Sequence, residues 1–172
     1  MPDATGLELI AQELQANDAV GAAGVLEREH VRGRAALTIE VGCLRAVLEQ
    51  LRAGGFSFLA SVHGLDYYPE EPRLGVQYEL LDMEGRDRIT IKVRVSTESP
   101  EVDSVTPDWP TADHQEREVH DMFGVLFRGH PDLRRILMPE DYVGHPQRRD
   151  FPVGGEPVLF TYNDTNELGS PE

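Results

Sequence analysis

The side chains best suited to chemistry crowd into one stretch, ADHQEREVHDMFGVLFRGHPDLRRILMPEDYVGHPQRRDFP, which occupies positions 112–152. A helix through its first part would set His114, Glu118 and Asp121 at i, i+4 and i+7 on one face, and Glu116 with His120 at i, i+4. That is the beginning of a metal site, although neither set is the H-E-x-x-H arrangement that supplies two histidines and a general base for zinc hydrolysis. One reading is therefore a metal-dependent reaction, the other a helix face in solvent. Nucleophilic catalysis is poorly served: no G-x-S-x-G elbow occurs, and Cys43 falls in an apolar helical stretch well away in sequence from any histidine. Phosphate binding is served no better. Neither G-x-G-x-x-G nor G-x-x-x-x-G-K-[ST] is present, and Gly21, Gly24, Gly54 and Gly55 lack the strand-to-helix setting such loops need.

What the stretch does offer is ion pairing. His130-Pro131 and His145-Pro146 punctuate it, and Arg134-Arg135 and Arg148-Arg149 alternate with Asp132, Glu140, Asp141 and Asp150. Proline removes a backbone donor and biases the preceding residue toward extended conformations, so the latter part is expected to be extended. Between Glu116 and Asp150 there are seven acids and six arginines, close to neutral, whereas the whole chain carries 31 acids against 16 bases, a formal −15. Dense charge of both signs suits a surface made to be paired, because arginine gives bidentate bonds to carboxylates and to carbonyls. A solvated charged loop is the plainer alternative. Arg117 and Asp121, at i, i+4, are expected to pair. The overall acidity argues against nucleic acid or an anionic lipid surface as the main partner.

Positioning this stretch falls to the first 111 residues. Thr5 with Glu8 is a capping-box signal ahead of Leu7, Ile10, Ala11 and Leu14, which predict a helix ending near Asn17-Asp18. Val20 to His30 is a strand candidate, and Ala35, Leu37, Ile39 and Val41 alternate as its hairpin partner. Leu44, Val47, Leu48 and Leu51 predict a second helix, stopped by Gly54-Gly55. Three strands follow, on Phe56, Phe58, Ala60 and Val62, on Leu74, Val76, Tyr78 and Leu80, and on Ile89, Ile91, Val93 and Val95, the last with Thr90, Lys92 and Arg94 on a wet face. Asp82 to Asp87 reads as the turn between the latter two. Pro100 to Pro110 reads as loop. Val119, Met122, Phe123 and Leu126 form the stripe of a third helix, with Gly124 as its stop.

The order predicts an α+β fold: an antiparallel sheet with helices packed on one face, plus an extended C-terminal segment. It divides into an α+β domain over 1–111, a signature helix and extended partner-binding segment of the same domain over 112–152, and an acidic tail over 153–172. Asp66-Tyr67-Tyr68-Pro69, at a strand end, is either an active-site edge or aromatics stacked on the sheet. With Cys43 alone there is neither a disulfide framework nor a thiolate cage for zinc or iron–sulfur, and the cysteine is expected in a helix core. No secretory signal and no apolar run of about 20 residues is visible, so the chain is expected in the cytoplasm or on a membrane through other proteins.

Three ordered blocks carry a resemblance: Glu116-Arg117-Glu118-Val119-His120-Asp121-Met122-Phe123-Gly124, then Gly129 to Pro139, then Gly144 to Pro152. They resemble the thirty-kilodalton subunit family of respiratory complex I, the proton-translocating NADH:quinone oxidoreductase. Asp66-Tyr67 and the run from Ser104 to Trp109-Pro110 fit the same family. The resemblance implies a cofactor-free subunit of the hydrophilic arm on the cytoplasmic side of the cell membrane. Its domain would pack beside iron–sulfur subunits and its C-terminal segment would lie over the quinone-site subunit that resembles a hydrogenase large subunit. NADH, FMN, iron–sulfur clusters and quinone would be held by those partners. Under this reading Glu116, Arg117, Glu118, Asp121, His130, Asp132, Arg134, Arg135, His145, Arg148, Arg149 and Asp150 form ion pairs and caps at contacts between subunits, with no catalytic, cofactor or metal ligand among them. His114, His120 and Gln147 depart from the family's usual residues, which are aromatic at the first two and leucine at the third. The alternatives are the equivalent chain in a relative fed by deazaflavin, ferredoxin, formate or hydrogen, or a stand-alone metal enzyme using His114, Glu118 and Asp121.

Overall fold

Alternation along β5 sets the geometry of everything else. In the computed structural model, which describes residues 4–31 and 33–152, Ile89, Ile91 and Val93 of β5 (Asp87–Val95) are buried while Lys92 and Arg94 look the other way. The remaining elements are α1 (Ala4–Gln15), β1 (Val25–Val31), β2 (Arg34–Ile39), a 3-10 turn (Val41–Cys43), α2 (Leu44–Ala53), β3 (Phe58–Asp66), β4 (Leu74–Asp82), β6 (Glu101–Asp103), α3 (Ala112–Phe123) and β7 (Leu126–Arg128). Five strands make one sheet in the order β1-β2-β5-β4-β3. Leu37, Ile91, Tyr78 and Val62 stand abreast across four of them, every one buried. A single core joins this inner face to Leu7, Ala11 and Leu14 of α1, to Leu44, Val47, Leu48 and Leu51 of α2, and to Val119, Met122 and Phe123 of α3. Each of the valine, leucine, phenylalanine and methionine side chains among them contributes about 1.5–3 kcal/mol on leaving water. The outer face is polar and self-paired: Lys92 Nζ meets Glu29 Oε2 at 2.7 Å, and Thr90 Oγ1 and Gln77 Nε2 donate to Glu79 Oε1 at 2.8 and 2.7 Å.

The α+β architecture is as the pattern predicts, with four local differences. Three of the four pairings in the described sheet are antiparallel, but β2 and β5 run parallel. The chain leaves β2, makes α2 and the β3–β4 hairpin, and returns as β5 beside β2; alternation gives a strand its face and says nothing of its neighbour. In β3 the expected phase fails. Leu59 and Val62 are buried and Phe58 is exposed, because a register irregularity between Leu59 and Ser61 inserts a residue and flips the faces. The Pro100–Pro110 loop contains β6, which pairs in parallel with β7. Leu126 lies in β7 and is 42% exposed, so it is not part of the α3 stripe.

Smaller adjustments follow the same logic. β1 begins at Val25, after a turn in which Val20 and Gly21 donate to the Asn17 carbonyl. Cys43 sits in the 3-10 turn ahead of α2, half-buried, with its thiol 3.6 Å from the Val20 carbonyl. The acidic tail expected over 153–172 lies outside the described residues. No helix among the described residues is long and apolar enough to cross a membrane.

α3 is the element that positions the site, and it rests on β3. Gly64 makes room for it, since a Cβ there would lie 2.2 Å from the Phe123 ring. Gln115 reaches across to accept the Val62 N–H, which covers part of an otherwise open sheet edge. α3 then ends at Gly124, whose φ of +77° is the left-handed conformation that glycine adopts without strain.

Candidate functional site

Asp121 is the hub. Its side chain is fully buried, and Oδ1 accepts Arg135 Nη1 at 2.6 Å. Oδ2 accepts three consecutive backbone N–H groups, from Ile136, Leu137 and Met138, at 3.0, 2.8 and 2.8 Å. Burial alone pushes this carboxyl up, but the three amides together with the guanidinium outweigh it and hold the group below its ordinary range. Arg135 also reaches the Gly144 carbonyl at 2.9 Å, and so ties the start of the extended segment to its middle.

The third block closes the helix that carries the hub. The last carbonyls of an α-helix lack partners within it. Here His145 Nδ1 donates to the Asp121 carbonyl at 3.0 Å, the Gln147 N–H to Met122 at 3.2 Å, and Arg148 Nε to Phe123 at 2.6 Å. Burial, helped by Arg148, Arg135 and His120, lowers the His145 pKa against the pull of that carbonyl, so the ring is neutral at pH 7. Burial likewise lowers Arg148 from its usual value. A Cβ on Gly124 would meet His145 Nε2 at 2.5 Å and Arg148 Nη2 at 2.6 Å, which makes this glycine the contact point between helix end and segment. Arg117 completes the clamp by donating to the carbonyls of Arg134 and Arg135 at 3.1 and 3.2 Å. The expected Arg117–Asp121 pair does not form, because each has a better partner across the segment.

Two further clusters anchor the ends. Glu116 is wholly buried; Oε2 accepts the Ser104 hydroxyl at 2.6 Å and Oε1 the Val105 N–H at 2.7 Å, fixing α3 to the chain after β6. Burial raises its pKa, opposed by those two bonds and by His130. The buried His130 ring accepts the Asp132 N–H on Nδ1 at 3.1 Å and turns Nε2 toward the Asp113 carbonyl at 3.3 Å. At the other end Arg73 grips two carboxylates bidentately, Asp66 at 2.8 and 2.6 Å and Asp150 at 2.8 and 2.6 Å. Asp66 also accepts the N–H groups of Arg149 and Tyr68. Its pKa is held far below the carboxylate range, chiefly by Arg73, and Arg73 is pushed up in return, chiefly by Asp66.

The signature residues thus come together, but largely on one another. Glu116 and Asp121 have this chain's own groups as partners. Arg149 reaches the Tyr68 carbonyl at 3.3 Å. Glu118 is exposed, and Asp132 and Arg134 form a surface pair at 2.8 Å, worth little in water. The metal reading is not supported by geometry: the His114 side chain is 77% exposed, whereas Asp121 is inside and saturated with donors. No group of three metal-ligating side chains gathers among the described residues. Sequence reasoning names neither Arg73 nor the hydroxyls of Ser104 and Thr106 as site groups. Arg73 carries one signal, a base directly before the apolar run of β4 and seven residues from Asp66; the hydroxyls carry none.

The profile of the family described as "Respiratory-chain NADH dehydrogenase, 30 Kd subunit" matches residues 37–157, well over half of the chain. The chain belongs to this 30 Kd subunit family. Among its relatives, an NADH-quinone oxidoreductase subunit from Roseiflexus sp. (strain RS-1) is 52% identical over 108 residues, covering 63% of this chain and 62% of its own. Its counterpart from Saccharopolyspora erythraea is 46% identical over 145 residues, 82% of this chain and 58% of its own. The chain therefore spans roughly three fifths of the length of these curated relatives. A solved structure of a trypsin-resistant fragment of Nqo5 overlays with a TM-score of 0.64 at 34% identity, over 74% of this chain and 98% of the fragment. A chain of the membrane-bound sulfane sulfur reductase, an archaeal respiratory membrane complex, shares the fold alone, at 22% identity and a TM-score of 0.70 over 95% of this chain and 92% of its own. The 30 Kd family profile spans all three signature blocks, so the clamp on α3 lies within the matched region.

Proposed function

We propose that this chain is a cofactor-free, peripheral-arm subunit of a membrane-bound NADH:quinone oxidoreductase, a complex I, and that its task is to hold shape for neighbouring subunits. The observation that carries the reading is the clamp itself, within a chain of the 30 Kd family. The buried and half-buried ionisable side chains of the signature, Glu116, Asp121, Arg135 and His145 among them, are committed to carbonyls, amides and one another, which supports a part in architecture rather than in bond-making. In this reading NADH, FMN, the iron–sulfur clusters and quinone sit on partner subunits, and electrons pass from NADH to quinone, with proton translocation, outside this chain. The partners are the iron–sulfur subunits and the quinone-site subunit resembling a hydrogenase large subunit. The chain would lie on the cytoplasmic side of the cell membrane, attached through them, with exposed groups, Glu118 on α3 and Asp132 and Arg134 on the segment, facing the contact.

The test is to tag the chain in its host, solubilise membranes gently, and identify what copurifies while assaying NADH:quinone reduction. Flavin- and cluster-bearing subunits with NADH activity are expected, and a deazaflavin, ferredoxin, formate or hydrogen module in their place would reassign the donor. A chain recovered alone from the soluble fraction would sink the reading.

A further inference from the structure

The clamp holds open a loop that its own energetics do not explain. Residues 136–144, ILMPEDYVG, begin with three amides on the Asp121 carboxylate and end with the Gly144 carbonyl on Arg135. Between them the Tyr142 N–H closes a turn on Pro139, and its ring stacks on Phe151 at 6.2 Å. Gly144, with φ +101°, lies so close under Phe151 that a Cβ would come within 2.8 Å of that ring. Yet this tied-down loop leaves Leu137 60% and Val143 89% exposed, with Ile136 also at the surface. Taking a carboxylate and a guanidinium out of water is costly until pairing offsets it, and here the result is to display apolar side chains to solvent.

We propose that residues 136–144 are a preformed docking loop that seats Leu137 and Val143 in an apolar recess, rimmed by basic side chains, on a protein partner. This rests on the assembly reading above and assigns the contact. Preorganisation removes the ordering cost of binding, and large apolar side chains entering a recess supply its hot spots. The charge pattern selects the occupant. Glu140 and Asp141 between the two anchors are exposed and make no ion pair among the described residues. The nearby bases are spoken for within the chain: Arg117 by two carbonyls, Arg135 by Asp121, Arg148 by Phe123 and Arg134 by Asp132. The loop therefore presents apolar plus negative. A second copy of this chain, at a formal −15, is repelled by it, and so are an anionic lipid surface and nucleic acid.

The test uses the full tagged chain in its host. The double variants Leu137→Asp with Val143→Asp, and Glu140→Arg with Asp141→Arg, are compared with wild type for partner recovered per tagged chain, alongside the melting temperature of each purified chain. The first pair is expected to lower recovery by about tenfold or more and the second by severalfold, with melting unchanged. Wild-type recovery from both pairs, while wild type itself brings down its partners, overturns the docking loop and leaves the assembly reading standing. A wild-type chain that brings down nothing overturns both. Should aspartate lower the melting temperature, a photo-reactive amino acid replacing Leu137 decides: an adduct with a partner protein supports the proposal, and an adduct with a second copy of this chain, or none, overturns it.

Discussion

Glu116 and Asp121 lie five residues apart on α3, both wholly buried, and the structure drives them in opposite directions. The difference is donor supply, two hydrogen bonds for Glu116 against four for Asp121, one of them charged. Replacing Asp121 by Ala strands Arg135 and opens three amides together, and is expected to cost about 3–5 kcal/mol in the urea unfolding of the full chain. Glu116→Gln should behave differently. The amide can still accept from Val105 and can donate to the Ser104 oxygen, while Glu116→Ala leaves both unpaired for about 1–3 kcal/mol. Because the folded pKa of Glu116 is raised, its contribution is complete below the unfolded value of about 4.3 and is lost as pH rises through the folded value. Unfolding curves across that window should therefore fall more steeply for wild type than for Glu116→Gln; parallel slopes would contradict the burial of an ionising group there.

At the scale of elements, α3 stops where residues far along the chain stop it. Gly124→Ala forces a left-handed conformation on an L-residue, at about 1–2 kcal/mol, and drives a methyl into His145 and Arg148. Hydrogen exchange over residues 129–152 should accelerate in that variant while the sheet stays protected. The helices and the faces of β2, β4 and β5 were legible in the sequence because one face of each is dry, and periodicity records which. The parallel β2–β5 neighbour was not, nor was the shifted phase of β3, since neither pairing partner nor an inserted residue leaves a mark on periodicity. β6 and β7 are three residues each, too short to show a period. For the site, the signature blocks could be located but not what they grip. His145 and Arg148 reach backbone carbonyls, which every residue possesses, so nothing in the sequence named their targets.

For the molecule as a whole, Asp66, Asp121 and Asp150 are carboxylates with lowered pKa values, and they join the ends of the segment to α3 and to the sheet. Stability from such groups is present above their unfolded value of about 3.9 and disappears as pH falls through the folded values. Melting temperature is expected to fall steeply below about pH 4, and Asp150→Asn should flatten part of that descent; a descent unchanged by Asp150→Asn would remove this carboxylate from the account. Glu116 acts in the opposite sense, its contribution being lost as pH rises through its own folded value. The clamp also fixes an order in time. A chain leaves the ribosome from its N-terminus, and domains tend to fold as they emerge. The residues of α3, of the sheet and Arg73 are thus synthesised before His145, Arg148 and Asp150. Until the third block is made, the end carbonyls of α3 are open and Arg73 has one carboxylate of its two. A nascent or truncated product ending short of Asp150 would carry those unclosed groups as a chemical sign that it is unfinished, and the proposed docking loop would be held in place only once the last block had closed.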